Sequence, residues 1–293
     1  MTILVTGATG NVGRQVVQQL INRGADVRAL VRNPETANLP ASVQIVQGDL
    51  LDVDSLRGAL KDVSTLFLLN AVVADEFTQA LVALNLAREA GIERIVYLSV
   101  IHSDLYANVP HFAGKYGVER MIEQMGLSAT ILRPAYFMDN EVTIKDVVVG
   151  YGVYPMPIGS KGLAMIDARD IGEIAAIELL RRERAAEPLP LQTINLVGPD
   201  TLTGADTAGI WSDVLGRPIA YGGDDTQRFE ENLRQFMPGW MAYDMRLMGE
   251  QFLSKGMIPE PGDVERLTTL LGRPLRTYRD FVSEISSERR LGN

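Results

Sequence analysis

The chain opens on an apolar triplet, Ile3-Leu4-Val5, then small and glycine residues, then apolar positions Val12, Val16, Val17, Leu20 and Ile21 at helical spacing. A short apolar run suits a parallel strand buried on both faces, and the later periodicity suits a helix with one apolar face. The same alternation repeats. Apolar runs over 27–31, 43–46, 65–70 and 94–99 predict four more strands, the first of these stopped by Arg32-Asn33-Pro34. Between them, Asp52 N-caps a helix with apolar positions Val53, Leu56, Leu60 and Val63, and a helix over about 76–90 ends at Gly91 as its C′ glycine. Strands alternating with helices imply right-handed parallel crossovers.

Further on, the pattern predicts a strand at 130–132, a helix near 139–149 and a turn-rich stretch over 150–162 that holds Pro155 and Pro157. Asp167 then reads as the N-cap of a helix running to Arg182, with Asp170 near its third position and so structural. A strand over 192–197, a helix over 203–215 and a short strand over 218–221 follow, after which the chain is largely helical to about Ser286. Met237, Trp240, Met241, Met245, Leu247 and Met248 fall at helical spacing and read as core filler or as a flexible substrate-facing surface. The fold class is therefore α/β, a doubly wound parallel Rossmann sheet with a smaller, mostly helical C-terminal substrate lobe. Residues 1–150 form the dinucleotide-binding domain, strand and helix segments near 163–197 return to it, and residues 151–293 form the smaller lobe.

Composition narrows the partners. With 293 residues, 46% of them hydrophobic, the chain buries a substantial core as one large domain or a domain and a half. A net charge of −9 opposes binding to nucleic acid or to anionic membrane, both of which reward clustered Lys and Arg. No cysteine is present and there are only two histidines, so no disulfide, thiolate nucleophile or zinc-thiolate site is available and no metal is expected. The N-terminus shows no basic segment followed by an apolar one, and no apolar run reaches membrane-spanning length, so a cytoplasmic protein is expected.

Candidate chemistry starts at the segment Gly7, Ala8, Thr9, Gly10, Asn11, Val12 and Gly13. Gly7 suits a tight turn, Gly10 close approach of a pyrophosphate to bare backbone, and Gly13 close packing of helix on strand. The free N–H groups at the helix start then face the anion. Where an NAD-preferring fold carries an acid, about 20 residues past the glycines, this chain has Arg32 followed by Asn33. A guanidinium there favours a ribose 2′-phosphate, hence NADP(H) over NAD(H), with Arg14 placed to help; the alternative is a solvated charge after a strand. Asp49 and Leu50 end the third strand, and Leu69, Asn70 and Ala71 follow the fourth, placed to flank the dinucleotide.

The G-x-x-G-x-x-G spacing resembles the short-chain dehydrogenase/reductase superfamily. The wording Gly-Ala-Thr-Gly-Asn-Val-Gly, with Leu30-Val31-Arg32-Asn33-Pro34, Gly48-Asp49, Lys115-Tyr116 with Glu119, Leu132-Arg133-Pro134-Ala135-Tyr136-Phe137 and Asp167-Ala168-Arg169-Asp170-Ile171-Gly172, resembles its atypical NmrA-like and isoflavone-reductase-like branch over nearly the whole chain. That resemblance implies that Asp49 accepts from the adenine amino group, although the residue also reads as a turn cap. It implies that Ser99, Lys115 and Pro134 line the cofactor, and that Tyr136, Phe137 and Met138 form a substrate wall, for which core packing is the alternative. Catalytic members of the superfamily carry a Ser after the fifth strand and a Tyr-x-x-x-Lys on the next helix. Here Ser99 and Lys115 stand in place, but His111 replaces the tyrosine, and Tyr116 lies on another face of the helix. The missing tyrosine leaves two functions open: an NADPH-dependent reductase of a small apolar carbonyl or quinone, using Lys115, His111 and Ser99, or a catalytically silent NADP(H) sensor acting through a protein partner. A sugar-nucleotide epimerase ranks third, since it needs the tyrosine.

Overall fold

The protein is described here over residues 1–287 of a computed structural model. Strand β1 (Thr2–Val5) passes through the glycine turn into α1 (Asn11–Asn22), which buries Val12, Val16, Val17 and Leu20. Then come β2 (Asp26–Val31), β3 (Gln44–Gln47), α2 (Val53–Leu60), β4 (Val63–Leu68), α3 (Glu76–Glu89), β5 (Ile95–Leu98), α4 (Pro110–Gln124) and β6 (Ala129–Pro134). The chain continues with α5 (Glu141–Tyr151), β7 (Val153–Tyr154), α6 (Ala168–Arg184), β8 (Gln192–Leu196), α7 (Gly204–Leu215) and β9 (Ala220–Tyr221). Four helices close it: α8 (Thr226–Leu233), α9 (Gly239–Ser254), α10 (Asp263–Leu271) and α11 (Tyr278–Ser287). Most expected elements are present with ends shifted by a residue or two, as fraying termini allow, but α2 stops at Leu60, and Val63, expected on its apolar face, opens β4.

Seven strands form one sheet in the order β3-β2-β1-β4-β5-β6-β8, and the pairings from β3 through β6 are parallel. Two short strands, β7 and β9, pair separately. The chain divides into two compact units: residues 1–103, 113–133 and 168–194 form the first, and residues 104–112, 134–167 and 195 onward the second. The first unit thus gives up the chain after Arg133 and not at 150, and takes it back for α6. Local contacts explain the return. A Cβ on Gly172 would lie 2.3 Å from the Gln15 Cβ, so α6 sits directly on α1 only because that position is glycine. The Glu183 carboxylate then accepts from Ser64 Oγ at 2.7 Å and from Thr65 Oγ1, tying α6 to β4. Buried Arg182 donates to Thr130 Oγ1 at 2.7 Å and to the Leu189 and Pro190 carbonyls. On the other side of the sheet Leu4, Leu66, Leu68 and Tyr97 pack with Leu56, Leu84, Val118 and Ile122 in one core. Among the described residues no helix is long and apolar enough to cross a membrane.

In the second unit Thr203 and Asp206 close a capping box on α7. That helix carries Trp211, whose indole N–H donates to the Tyr278 hydroxyl at 3.0 Å. Tyr278 and Tyr154 in turn donate to the fully buried Glu141 carboxyl at 2.8 and 3.0 Å. Helix α9 departs from the expectation of methionine core filler. Its buried face is Ala242, Asp244, Met248, Gly249 and Phe252, while Met241, Met245 and Leu247 are half-buried and Trp240 is exposed. Small residues and a paired acid supply that face, and periodic methionines alone do not reveal which side turns inward.

Burial pushes the Glu141 carboxyl from its ordinary 4.5 to about 7, against the lowering effect of the tyrosine hydrogen bonds. Its folded pKa exceeds its unfolded one, so its contribution is most favourable below pH ~4.5 and is lost as the pH rises through about 7. Relative to Glu141→Gln, the wild type is therefore expected to lose a few kcal/mol of stability between pH 5 and 8, at roughly 1.4 kcal/mol per pKa unit. Urea unfolding of both proteins across that range checks it, and a constant difference would contradict the assignment.

Candidate active site

In this sheet the strand order reverses between β1 and β4, and open α/β sheets bind ligands beyond the carboxyl ends of the strands at such a point. The glycine turn leaves β1 there. Gly7 takes φ +63°, a left-handed conformation that favours glycine. A Cβ on Gly13 would lie 2.0 Å from the Gly7 carbonyl oxygen, so only glycine lets α1 start against the turn. Gly10 is the N-cap of α1 and brings no side-chain acceptor to the first-turn N–H groups. A Cβ on Gly10 would meet nothing nearer than the Gly7 oxygen at 3.4 Å. Ala8 and Val12 are buried and anchor the turn, whereas Thr9, Gly10 and Asn11 are exposed.

Thr6, which the sequence reading passed over, joins this turn to the loop after β4. Its hydroxyl donates to the Leu69 carbonyl at 2.9 Å and accepts from the Leu69 N–H at 2.8 Å. The next residue, Asn70, is 5% exposed, yet neither its amide oxygen nor its nitrogen has a partner among the described residues. An unmet buried amide costs roughly 1–3 kcal/mol. Bare backbone at Gly10, uncapped N–H groups and an orphaned amide at Asn70 fit a polar, anionic ligand such as a dinucleotide, with Ala71 exposed beside them.

Arg32 and Asn33 are exposed at the end of β2, and Asn33 caps the short turn Pro34–Thr36. Arg14 is tied to the backbone. Its guanidinium donates to the carbonyls of Thr9 (2.9 Å), Asn38 (2.9 Å) and Ala37 (3.2 Å), so it stitches the glycine turn to the loop after β2. Asp49 Oδ1 accepts from the Leu51 N–H at 2.9 Å, the turn-capping alternative, and Leu50 is half-buried beside it.

Lys115 lies on α4 and donates to Glu76 Oε1 at 2.5 Å, the two side chains being only 9% and 7% exposed. Glu76 Oε2 has no partner among the described residues. One turn on, Glu119 is fully buried and accepts from Arg133 Nε and Nη2 at 3.0 and 2.5 Å and from Ser99 Oγ. The Ser99 hydroxyl, expected in the catalytic set, thus gives its hydrogen to a buried carboxylate. Tyr97, on β5 two residues before Ser99, is buried, and its hydroxyl has no partner among the described residues. Burial, then the charges of Glu76 and Glu119, push its phenol well above the ordinary tyrosine range, so it stays neutral.

In the second unit His111 donates its backbone N–H to Asp244 Oδ1 at 3.0 Å, and its ring Nδ1 pairs with Asp244 Oδ2. Tyr116, as its spacing implies, turns elsewhere and stacks under the Arg120 guanidinium at 4.8 Å. Of the residues expected to form a substrate wall, Met138 is 1% exposed and belongs to the core, packed toward Gly198. Tyr136 is buried edge-on against Phe252, and Phe137 alone is half-buried. Pro134 is buried. Glu76 and Asp244 went unnoticed because each looks like an ordinary helix residue; the one signal was at Asp244, a lone acid within the apolar run 240–245.

A parallel sheet in this order, with a glycine turn at its reversal point, defines a Rossmann-type dinucleotide-binding protein. More narrowly, the chain belongs to the NmrA-like family, whose profile matches residues 1–280. It is 28% identical over 285 residues to an NAD(P)H azoreductase of Xenophilus azovorans, covering 96% of both chains. It is 26% identical over 290 residues to quinone oxidoreductase 2 of Escherichia coli, covering 97% of this chain and 98% of that one. Its fold matches triphenylmethane reductase of Citrobacter sp. complexed with NADP(H) at a TM-score of 0.83 and 23% identity, over 97% of this chain and 99% of that one.

The two glycines separate binding from folding. Gly10→Val is expected to leave the circular dichroism spectrum and melting temperature unchanged while dinucleotide binding is lost. Gly13→Ala is expected to cost about 1–3 kcal/mol of stability by overpacking. Thermal unfolding and NADPH titration of both variants check the contrast, and unfolding of Gly10→Val would contradict it.

Proposed function

We propose that the protein is an NADPH-dependent reductase of small, apolar, conjugated acceptors such as quinones. The observation that carries this reading is the desolvated Lys115–Glu76 pair, in the same unit as the glycine cradle. The Gly7–Gly13 segment would hold the pyrophosphate, Arg32 the 2′-phosphate, Asn70 a polar edge of the cofactor and Lys115 its ribose hydroxyls. Bound NADPH supplies a hydride. Glu76 takes one N–H of the Lys115 ammonium and fixes its place, and the remaining donors carry positive charge toward an anion forming in low dielectric. His111 stands where tyrosine-dependent reductases carry their acid. A quinone tolerates that exchange, because its reduced anion is a stabilised phenolate that demands little of a protein acid. Azo, quinone and triphenylmethane acceptors, named for the relatives above, are all conjugated systems that spread such charge, and their names support this substrate class.

Arg32→Ala is expected to weaken NADPH binding about ten- to hundredfold, the worth of a charge-assisted contact of roughly 1.5–3 kcal/mol, with little change for NADH. Calorimetric titration of both cofactors decides it, and equal losses would remove Arg32 from the 2′-phosphate. Lys115→Ala is expected to lower turnover more than NADPH affinity, measured as NADPH oxidation with a panel of quinones. If NADPH binds and no acceptor consumes it, the reductase reading yields to an NADP(H)-sensing protein that acts through a partner.

A further inference from the structure

Glu76 opens α3, the helix that follows β4, and so stands on the carboxyl-end side of the strands, where the glycine turn also opens. The first turn of a helix favours an acid. Phe77, beside it, brings α3 against α4: a Cβ on Gly117 would lie 2.8 Å from the Phe77 ring, and one on Gly114 would lie 3.9 Å from the Phe77 Cβ. That approach seats the Glu76 carboxylate on the Lys115 ammonium at 2.5 Å, both residues belonging to the first unit. Only one carboxylate oxygen is used. Oε2 is buried without a partner among the described residues, and the Tyr97 hydroxyl, which burial and then the charges of Glu76 and Glu119 keep protonated, does not meet it. A buried charge is costly unless it is paired and hydrogen-bonded. Glu76 is thus half satisfied, beside an ammonium with donors remaining.

An oxygen that only accepts, set beside an ammonium that only donates, is matched by two adjacent hydroxyl groups, since each hydroxyl does both. The same chemistry lets an acid hold the adenine ribose in NAD-binding folds. In NADPH that ribose carries its phosphate on the 2′-oxygen, so the one free vicinal diol belongs to the nicotinamide ribose. We propose that Glu76 is a cofactor-binding residue: its Oε2 accepts from the nicotinamide-ribose diol while Lys115 donates to the same hydroxyls, and the ribose is held by the ion pair and not by the lysine alone. This clasp rests on the reading of Lys115 as the ribose-binding lysine, and does not depend on which acceptor is reduced. The ligand then completes the oxygen that the protein leaves unmet.

In Glu76→Gln the side chain keeps its size but supplies one acceptor oxygen where the carboxylate supplies two. Calorimetric titration of the full-length wild type and of Glu76→Gln with three probes separates the halves of the cofactor. NADPH is the first; 2′-phospho-ADP-ribose keeps the second ribose and lacks nicotinamide; adenosine 2′,5′-bisphosphate has no second ribose. Glu76→Gln is expected to weaken the first two about ten- to hundredfold, the worth of a charge-assisted hydrogen bond, and the third by less than about twofold. A crystal structure of the wild type with NADP⁺ bound is expected to show Oε2 within hydrogen-bond distance of a ribose hydroxyl, and it decides the matter even if Glu76→Gln fails to fold. Equal losses for all three probes, no loss for NADPH, or an Oε2 turned away from the ribose overturns the proposal. So does a wild type that binds no NADPH. A wild type that shows the expected contrast in binding yet reduces no quinone removes the reductase reading and leaves the clasp standing.

Discussion

The first unit is built outward from one approach, that of Gly13 on the carbonyl of Gly7. No side chain fits between them, so the first turn of α1 lies flat on the end of β1 and its N–H groups open over the reversal point of the sheet. The neighbours then secure that placement. Thr6 ties the turn to the loop after β4, Arg14 ties it to the loop after β2, and Gly172 lets α6 brace α1 from behind. A phosphate cradle needs rigid backbone donors, and these contacts make the backbone rigid before any ligand arrives.

Buried charge follows a consistent logic within each unit. Glu119 meets an arginine and a serine, Glu183 meets two hydroxyls, and Asp244 meets a histidine twice, so each carboxylate is satisfied where it lies. Asn70 and the second oxygen of Glu76 break the rule. Unmet buried polar groups are costly in a folded protein, and they persist where a ligand completes them. Ser99 and Glu76 each meet a distant partner: the serine gives its hydroxyl hydrogen to Glu119, and an acid at the start of a helix holds the lysine.

Much was determined by the amino-acid sequence alone. The order of strands and helices, the caps at Asp52 and Thr203, the C′ glycine at Gly91 and the three distinct glycine roles after β1 depend on contacts within a few residues, which periodicity and residue chemistry record directly. The family resemblance rested on the same local words. Tertiary structure alone decided the pairings of Lys115 with Glu76 across 39 residues and of His111 with Asp244 across 133, and the inward face of α9. Each depends on which helix faces come together, and a polar residue's type states what it can bond but not which distant partner it will meet. For that reason the glycine turn was legible from the sequence, whereas the acids that pair with Lys115 and with His111 became visible only in the folded chain.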